Sequence, residues 1–207
     1  MPDLRRAHER LHAALGRQDW WPADGPFEMM LGAVLVQNTR WHNVTLAMDR
    51  LRGAGLLDPE AWREASDAAI REAIHPCGFH GAKLRATRGL ADWMRGAGGA
   101  ELRRPRLADA ALRAELRALP GVGEETADAI LLYAFDRPAF IYDAYARRML
   151  GALSGSEPAT YASARRAHAE DVARAEFTLD ELQQLHALID EFGKLVGSGA
   201  RSWAALD

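Results

Sequence analysis

The chain has 207 residues, of which 48% are hydrophobic and 27% are charged, and its net charge is −3. These values are typical of a soluble globular protein with one or two domains. No stretch is long and apolar enough to span a bilayer, and the charged N-terminus, MPDLRRAHER, is unlike a signal peptide. We therefore expect a cytoplasmic protein.

Cysteine and lysine are both scarce. Cys77 is the only cysteine, so the chain can supply neither an intramolecular disulfide nor a four-cysteine zinc or iron-sulfur site. The acidic net charge does not favour a nucleic-acid partner. Yet the basic residues are nearly all arginine, with only Lys83 and Lys194 as lysines. Arginine suits phosphate contacts, so a local basic face is compatible with an acidic total.

Apolar residues at helical spacing predict helices along the whole chain. The first covers 3–16, and the second, 26–37, is apolar on all sides, as expected for a buried helix. Further helices are predicted at 42–52, 58–62, 67–74, 82–96, 109–119, from 126 onward, and at 144–153, 160–174 and 179–195. Residues 96–108 contain Gly and Pro and predict a linker. Because no period-two strand pattern occurs, we predict an all-α fold.

The most informative stretch is 119–143, LPGVGEETADAILLYAFDRPAFIYD, which contains a glycine turn, a helix and a loop ending on Asp143. Its glycines can adopt positive φ angles that other residues resist. Backbone amides at a helix start, reinforced by the helix dipole, can bind phosphate. The amides expected to remain unpaired here are those of Val122, Gly123 and Glu124. Taken alone, such a turn is more often a connector than a phosphate site.

The whole stretch, however, resembles the helix-hairpin-helix and Gly/Pro-Asp signature of the DNA glycosylase superfamily that includes endonuclease III. Three further segments resemble that family: FEMMLGAVLVQNT, IHPCGFHGAKLRATRGL and LHALIDEFGKLVG. The resemblance covers most of residues 26–196. It implies two helical lobes with the active cleft between them. One lobe is 27–138, which carries the hairpin, and the other combines 1–26 with 139–207.

Within this resemblance, Asp143 is the implied catalytic carboxylate. Removing a damaged base builds positive charge on the sugar, and a carboxylate can stabilise that charge and orient or deprotonate water. Asp143 precedes a helix, whose N-terminus would keep it ionised. The alternative is a plain helix N-cap.

Glu125 is the main departure from the family pattern. Family members that also cut the DNA backbone carry a Schiff-base lysine at this position. A carboxylate cannot form an imine, so the resemblance implies base removal without strand cleavage. Glu125 either assists Asp143 as a second carboxylate or only interacts favourably with the helix dipole.

An aromatic concentration flanks the predicted buried helix. Its WWP run resembles the 3-methyladenine DNA glycosylase branch, which lacks the iron-sulfur cluster. Aromatic faces stack on an extruded base and attract a cationic alkylpurine. The implied base pocket consists of Trp20, Trp21, Pro22, Phe27 and Trp41. The alternative is that the tryptophans are core residues, although two adjacent ones cannot easily enter the same core.

The resemblance also implies a set of DNA contacts. In the resembling enzymes the residue matching Gln37 enters the gap left by the flipped nucleotide, and Asn38 either joins it or caps the helix. The implied DNA-binding residues are Gln37, Asn38, Lys83, Gly121, Val122 and Gly123. No metal site formed by side chains and no other cofactor is expected, but a monovalent cation is implied at the carbonyls of Leu119 and Val122.

Lys194 lies in the apolar context IDEFGKLVG. An apolar setting would lower the pKa of this lysine and make it nucleophilic enough for carbamylation by carbon dioxide. The alternative is a surface lysine whose charged end reaches the solvent.

Together these features predict a monofunctional DNA glycosylase of base excision repair. It would flip out and hydrolytically remove alkylated purines such as 3-methyladenine from double-stranded DNA, as a nucleoid-associated monomer without membrane contact. Two alternatives are an endonuclease III-like glycosylase for oxidised pyrimidines and a catalytically weak DNA-binding homologue.

Overall fold

A computed structural model describes residues 2–96 and 107–206. All regular secondary structure within these two ranges is helical, which confirms the predicted all-α fold. None of the helices in them is long and apolar enough to cross a membrane. The linker predicted at 96–108 lies almost wholly outside the described residues.

The observed helices follow the predicted ones closely. Their bounds are α1 Leu4–Leu15, α2 Pro26–Leu35, α3 Trp41–Gly53, α4 Ala61–Glu64, α5 Asp67–Ile74, α6 His80–Gly96, α7 Asp109–Arg117, α8 Glu124–Ala134, α9 Ala144–Ser154, α10 Tyr161–Arg174 and α11 Leu179–Gly197. Short 3-10 helices cover His75–Cys77 and Trp203–Leu206. The largest departure is the helix predicted at 58–62, which forms only the single turn α4.

The chain divides into two compact units. The central unit is Trp21–Asp136, and the terminal unit combines Met1–Trp20 with Arg137–Asp207. The sequence prediction placed these divisions after residues 26 and 138, so residues 21–26 group with the central unit instead. The predicted active cleft between the lobes stays a prediction.

Helix α2 forms the middle of the central unit. All its residues from Phe27 to Leu35 are buried, and it packs against α6 and α8. This position suits a helix that is apolar on all sides. The turn before α8 also lies against α6, because a Cβ on Gly121 would come within 2.8 Å of the Ala86 Cβ. Gly121 has a φ of 72°, so glycine meets both the steric and the backbone requirement there.

In the terminal unit, α11 packs against α1 and α9. The contact with α9 is close, because any side chain on Gly193 would overlap the ring of Tyr145. Arg5 connects the start of α1 to the loop before α11 by donating to the carbonyl oxygens of Ala175 and Glu176. The glycine in the predicted LHALIDEFGKLVG segment therefore sets how closely α11 approaches the start of α9.

A buried ion pair joins α7 to α8, the two helices that flank the glycine turn. Asp128, which is 4% exposed, accepts hydrogen bonds from Arg113 Nε at 2.6 Å and Nη2 at 2.9 Å. The Oε1 atom of Glu124 lies 3.5 Å from Arg113 Nη2 and 3.7 Å from Arg117 Nη1. A bidentate arginine–carboxylate pair imposes geometry as well as adding stability. The hairpin therefore depends on Arg113 for its shape.

We predict that Arg113→Met lowers the free energy of unfolding by about 3–5 kcal/mol, because the buried Asp128 carboxylate loses its counter-charge. Arg117→Met is the matched control. Its half-exposed side chain makes only the longer contact, and its loss should cost less than about 1 kcal/mol. Urea denaturation of both variants measures the difference. Equal effects would contradict a special role for the Arg113–Asp128 pair.

Candidate active site

Asp143 is the N-cap of α9 in the terminal unit. Its Oδ1 accepts a hydrogen bond from the Ala146 amide at 2.7 Å, and its Oδ2 lies 3.8 Å from His186 Nε2. The side chain is 14% exposed. Burial raises the pKa of the Asp143 carboxyl, against the opposing effect of the helix amides and of two arginines on α9. The predicted ionising effect of the helix start is therefore real but smaller than the effect of burial.

Trp20 and His186 surround the same carboxylate. The two rings meet edge to face, with centroids 6.0 Å apart. Burial lowers the pKa of His186 to about 4, so this imidazole is neutral at pH 7. The indole Nε1 of Trp20 is buried and has no hydrogen-bond partner in the described part of the chain. His186 was not among the predicted site residues, although it lies in the LHALIDEFGKLVG segment that resembles the family.

Trp21 and Trp41 lie together in the central unit. The Trp21 ring stacks on Tyr133 with centroids 5.4 Å apart, and it meets Trp41 edge to face at 5.6 Å. Trp21 has a φ of 58°, which costs of order 1–3 kcal/mol and persists only when the surroundings hold it. Gly32 of α2 makes room, because a Cβ there would lie 3.2 Å from the Trp21 Nε1. Tyr133 was not among the predicted residues.

The C-terminal end of α2 contacts the hairpin. Gln37 Nε2 donates to the carbonyl oxygen of Gly121 at 3.1 Å and to Thr126 Oγ1 at 2.9 Å. Asn38 is exposed and has a φ of 53°, a left-handed conformation that asparagine tolerates. This conformation fits the helix-ending alternative for Asn38. Entry of either side chain into DNA stays a prediction.

The amide of Val122 was predicted to be unpaired, and this is wrong. It donates to the Leu119 carbonyl oxygen at 3.2 Å and closes the turn. The first hydrogen bond of α8 runs from the Ala127 amide to the Gly123 carbonyl oxygen, so the amides just before it have no acceptor within the helix. An anion site at this turn would therefore begin after Val122. Glu125 is exposed in the first turn of α8.

Comparison with known proteins agrees with this geometry. The family model described as HhH-GPD superfamily base excision DNA repair protein matches residues 31–185. The chain belongs to this family. It is 35% identical over 182 residues to a Methanocaldococcus jannaschii protein named "Putative DNA repair glycosylase MJ1434", covering 86% of this chain and 81% of that protein.

Solved structures give the same result. The H. pylori 3-methyladenine DNA glycosylase MagIII, solved with 1,N6-ethenoadenine, has a TM-score of 0.75 and 25% identity over 93% of this chain and 96% of that one. Endonuclease III in a trapped covalent DNA intermediate has a TM-score of 0.71 and 20% identity over 92% of this chain and 84% of that one. At that identity the second likeness shows the fold alone. The family model and the M. jannaschii relative confirm the predicted family, and the solved structures agree with its fold.

Lys83 was predicted to bind DNA, and the structure contradicts this. The side chain is 4% exposed, and its Nζ donates to the carbonyl oxygens of Leu35 at 2.9 Å and Cys77 at 2.8 Å. These carbonyls end α2 and the 3-10 helix before α6. Burial lowers the pKa of Lys83. The residue satisfies buried backbone acceptors instead of facing solvent.

Phe27 was predicted to line the base pocket, and this too is wrong. Its side chain is 4% exposed and meets Trp62 edge to face at 5.9 Å, inside the core of the central unit. Pro22 is exposed in the loop before α2. Of the five predicted pocket residues, the structure brings Trp21 and Trp41 together and places Trp20 beside His186.

Lys194 does not have the lowered pKa that the sequence predicted. Burial alone would lower it, but ion pairs with Asp190 at 2.6 Å and Glu191 at 2.7 Å outweigh burial and raise the pKa of Lys194. The Nζ atom also lies 5.4 Å from the Trp20 ring centroid. Carbamylation, which requires the neutral amine, loses its premise but stays a prediction that native intact mass can test.

Phe79 is an exposed residue that was not among the predicted site residues. Its ring is 66% exposed, and its backbone has a φ of 48°. It lies between the 3-10 helix and α6, close to Cys77. The Lys83 ammonium group donates both to the Cys77 carbonyl oxygen and to the Leu35 carbonyl oxygen at the end of α2. A non-glycine residue held at positive φ supports a hypothesis of function, and only the structure shows that Phe79 is also exposed.

We predict that Lys83→Met lowers the free energy of unfolding by about 1–3 kcal/mol, because two buried carbonyls lose their donor. The exposed neighbour Arg85 provides the stability control, since Arg85→Met should change the value by less than about 0.5 kcal/mol. Thermal and urea denaturation measure both. A Lys83→Met protein with unchanged stability and weakened DNA binding would instead support the predicted role in DNA binding.

Proposed function

We propose that this HhH-GPD protein is a monofunctional DNA glycosylase that removes alkylated purines such as 3-methyladenine from double-stranded DNA. The observation that carries the proposal is the partly buried Asp143 carboxylate, which lies beside the His186 ring that Trp20 contacts. The likeness to MagIII, a 3-methyladenine DNA glycosylase by its name, supports the choice of substrate. DNA binding by the chain is part of the same proposal.

The reaction follows from the chemistry of the substrate. An alkylated purine carries positive charge, so the electron pair of the breaking C1′–N bond neutralises the departing base. The sugar gains oxocarbenium character, which the Asp143 carboxylate stabilises. A water oxygen then bonds to C1′, and its proton passes to Asp143, which acts as the general base. Because the leaving base is already activated, no acid beside it is required.

Aromatic groups would bind the extruded base. Trp20 offers a ring near the carboxylate and an indole N–H that has no partner in the described part of the chain. Trp21, Tyr133 and Trp41 form the second aromatic group, in the central unit. Stacking on each ring is worth roughly 1–3 kcal/mol, and a cationic base adds attraction to the ring faces.

We expect no lyase activity, because neither of the two lysines is placed to form an imine with the sugar. Glu125 occupies the position where imine chemistry would need an amine. Lys83 is buried against two carbonyl oxygens, and Lys194 is ion-paired with two carboxylates. Neither amine is therefore placed as a nucleophile. Base removal by water is the chemistry that the remaining groups support.

DNA would bind at the hairpin of the central unit. The amides at the start of α8 favour a phosphate, and a monovalent cation at the carbonyls of Leu119 and Val122 would strengthen this contact. The negative charge of Glu124 is opposed there by Arg113 and Arg117. The exposed Phe79 would insert between base steps, as apolar wedges do in other DNA-bending proteins.

Methylated DNA, together with duplexes that carry single defined lesions, tests the proposed activity, with base release and strand cleavage measured separately. We expect release of 3-methyladenine without strand cleavage. Asp143→Asn should reduce release at least about 100-fold, because the neutral amide neither stabilises the cation nor accepts the proton. Duplex affinity should stay within a few-fold of wild type.

Other outcomes separate the alternatives. Cleavage by β-elimination would overturn the argument from Glu125. Release of oxidised pyrimidines alone would favour the endonuclease III-like alternative, and no release from any lesion would favour a DNA-binding homologue without activity. Gel filtration at assay concentration tests the proposed monomer.

The rate of base release should fall as the pH decreases. Asp143 must be ionised to act, and burial raises the pKa of its carboxyl above the ordinary value of 3.8. The acidic limb of single-turnover release should therefore have its midpoint above pH 3.8. A midpoint at or below that value would show that the carboxylate reacts in a more solvated state.

Phe79→Ala should weaken binding to a lesion-containing duplex by about tenfold, because an inserted aromatic side chain is lost. Leu46→Ala is the matched control, since Leu46 is another exposed apolar side chain in the central unit. Fluorescence anisotropy at one fixed salt concentration measures both. Equal, small effects would argue against a wedge role for Phe79.

A further inference from the structure

One face of α11 carries a row of ionisable side chains next to Asp143. His186, Asp190 and Lys194 follow one another at four-residue spacing, so they lie above one another on the helix. Asp143 Oδ2 lies 3.8 Å from His186 Nε2 at one end of this row. At the other end, Lys194 Nζ lies 2.6 Å from Asp190 Oδ2. The imidazole therefore lies between two carboxylates.

We propose that His186 is a positioning residue that donates its Nε2 proton to Asp143 Oδ2, thereby holding this carboxylate ionised and correctly oriented for the reaction. The proposal rests on the function proposed above, in which the Asp143 carboxylate reacts. The present separation is too long for a hydrogen bond. Catalytic hydrogen bonds are often long without substrate and shorten when it binds. Here Nε2 and Oδ2 need to approach each other by less than about 1 Å to form the bond.

Asp143 needs such a donor because burial favours its protonated form. A protonated carboxyl could neither accept the proton of water nor stabilise a cation. The Ala146 amide donates to Oδ1, and the Tyr145 amide also favours the ionised carboxylate. The nearby arginines of α9 have other contacts, since Arg147 donates to the carbonyl oxygens of Pro158 and Ala159 and Arg148 lies over the Tyr145 ring. His186 is placed to serve Oδ2.

The neutral imidazole has one N–H, so its tautomer matters. Asp190 on the next turn of α11 could compete for this proton at Nδ1. Lys194 prevents the competition by pairing with Asp190, and Glu191 also contacts the same ammonium group. With Asp190 paired to Lys194, the proton at Nε2 faces the Asp143 carboxylate. Lys194 thus acts on Asp143 indirectly, through two intervening side chains.

Packing restricts the imidazole to this direction. The ring meets Trp20 edge to face with an interplanar angle of 90°, and its side chain is 12% exposed. The close contact of Gly193 with Tyr145 holds α11 against the start of α9. The polar contact between His186 and Asp143 is therefore set by the packing of two helices in the same unit.

Two His186 variants test the proposal. His186→Gln keeps an N–H donor near the Nε2 position but does not titrate, whereas His186→Phe keeps a ring and removes the donor. Single-turnover base release from methylated DNA is measured from pH 4 to pH 9. We expect the acidic limb of His186→Phe to move up by about one pH unit, with about tenfold slower release below the limb. His186→Gln should remain within about 0.3 unit of wild type.

Substitutions further along α11 provide the second arm. Lys194→Met frees Asp190 to draw the proton to Nδ1, so it should shift the acidic limb upward, in the same direction as His186→Phe. Glu191→Gln is the matched control, because it removes the other carboxylate that contacts Lys194 without changing the Asp190 pair. It should leave the profile unchanged.

A direct titration separates this proposal from the proposed function. Carbon-13 NMR of the Asp143 carboxyl reports its ionisation whether or not the protein releases a base. An upward shift in His186→Phe but not in His186→Gln supports the proposal, even if no lesion is processed. Identical Asp143 titrations in wild type and His186→Phe would overturn the His186 proposal, and so would equal shifts in both variants. In either case, base release that depends on Asp143 would still support the glycosylase function.

Discussion

The carboxyl end of α2 is buried, and the central unit depends on how the backbone acceptors there are satisfied. A buried carbonyl without a donor is costly, and a helix end leaves several of them. Lys83 donates to the Leu35 carbonyl oxygen, and Gln37 extends from the same end to the carbonyl of Gly121. These contacts join α2 to the loop before α6 and to the hairpin. The surfaces proposed to meet DNA are thereby held by polar contacts as well as by apolar packing.

Burial also decides the electrostatics of the candidate site more than the net charge of −3 does. Asp128 and Asp190 are compensated by Arg113 and Lys194, so their negative charge is locally neutralised. Asp143 instead receives hydrogen bonds from backbone amides, lies in a desolvated position and faces a neutral imidazole. In this acidic protein the carboxylates of Asp128 and Asp190 are thus ion-paired, whereas Asp143, the proposed catalytic carboxylate, is held mainly by backbone amides.

The adjacent tryptophans show how a single sequence motif divides between two structural environments. Trp20 contacts His186 in the terminal unit, and Trp21 contacts Tyr133 in the central unit. Trp21 itself has a left-handed backbone conformation, with a φ of 58°. The two adjacent rings therefore do not enter the same core, as their adjacency in a loop predicts. The pattern could not assign His186 to Trp20 or Tyr133 to Trp21, because both partners lie more than a hundred positions further along the chain.

The sequence by itself determined the helical class, nearly all helix bounds, the family and the position of Asp143 at a helix start. These features depend on local signals, namely apolar spacing, glycine and proline positions, and short motifs. Only the tertiary structure decided that Lys83 and Phe27 are buried, that ion pairs raise the pKa of Lys194, and that His186 faces Asp143. Desolvation and hydrogen-bond partners come from residues distant in the chain, and local periodicity carries no information about them.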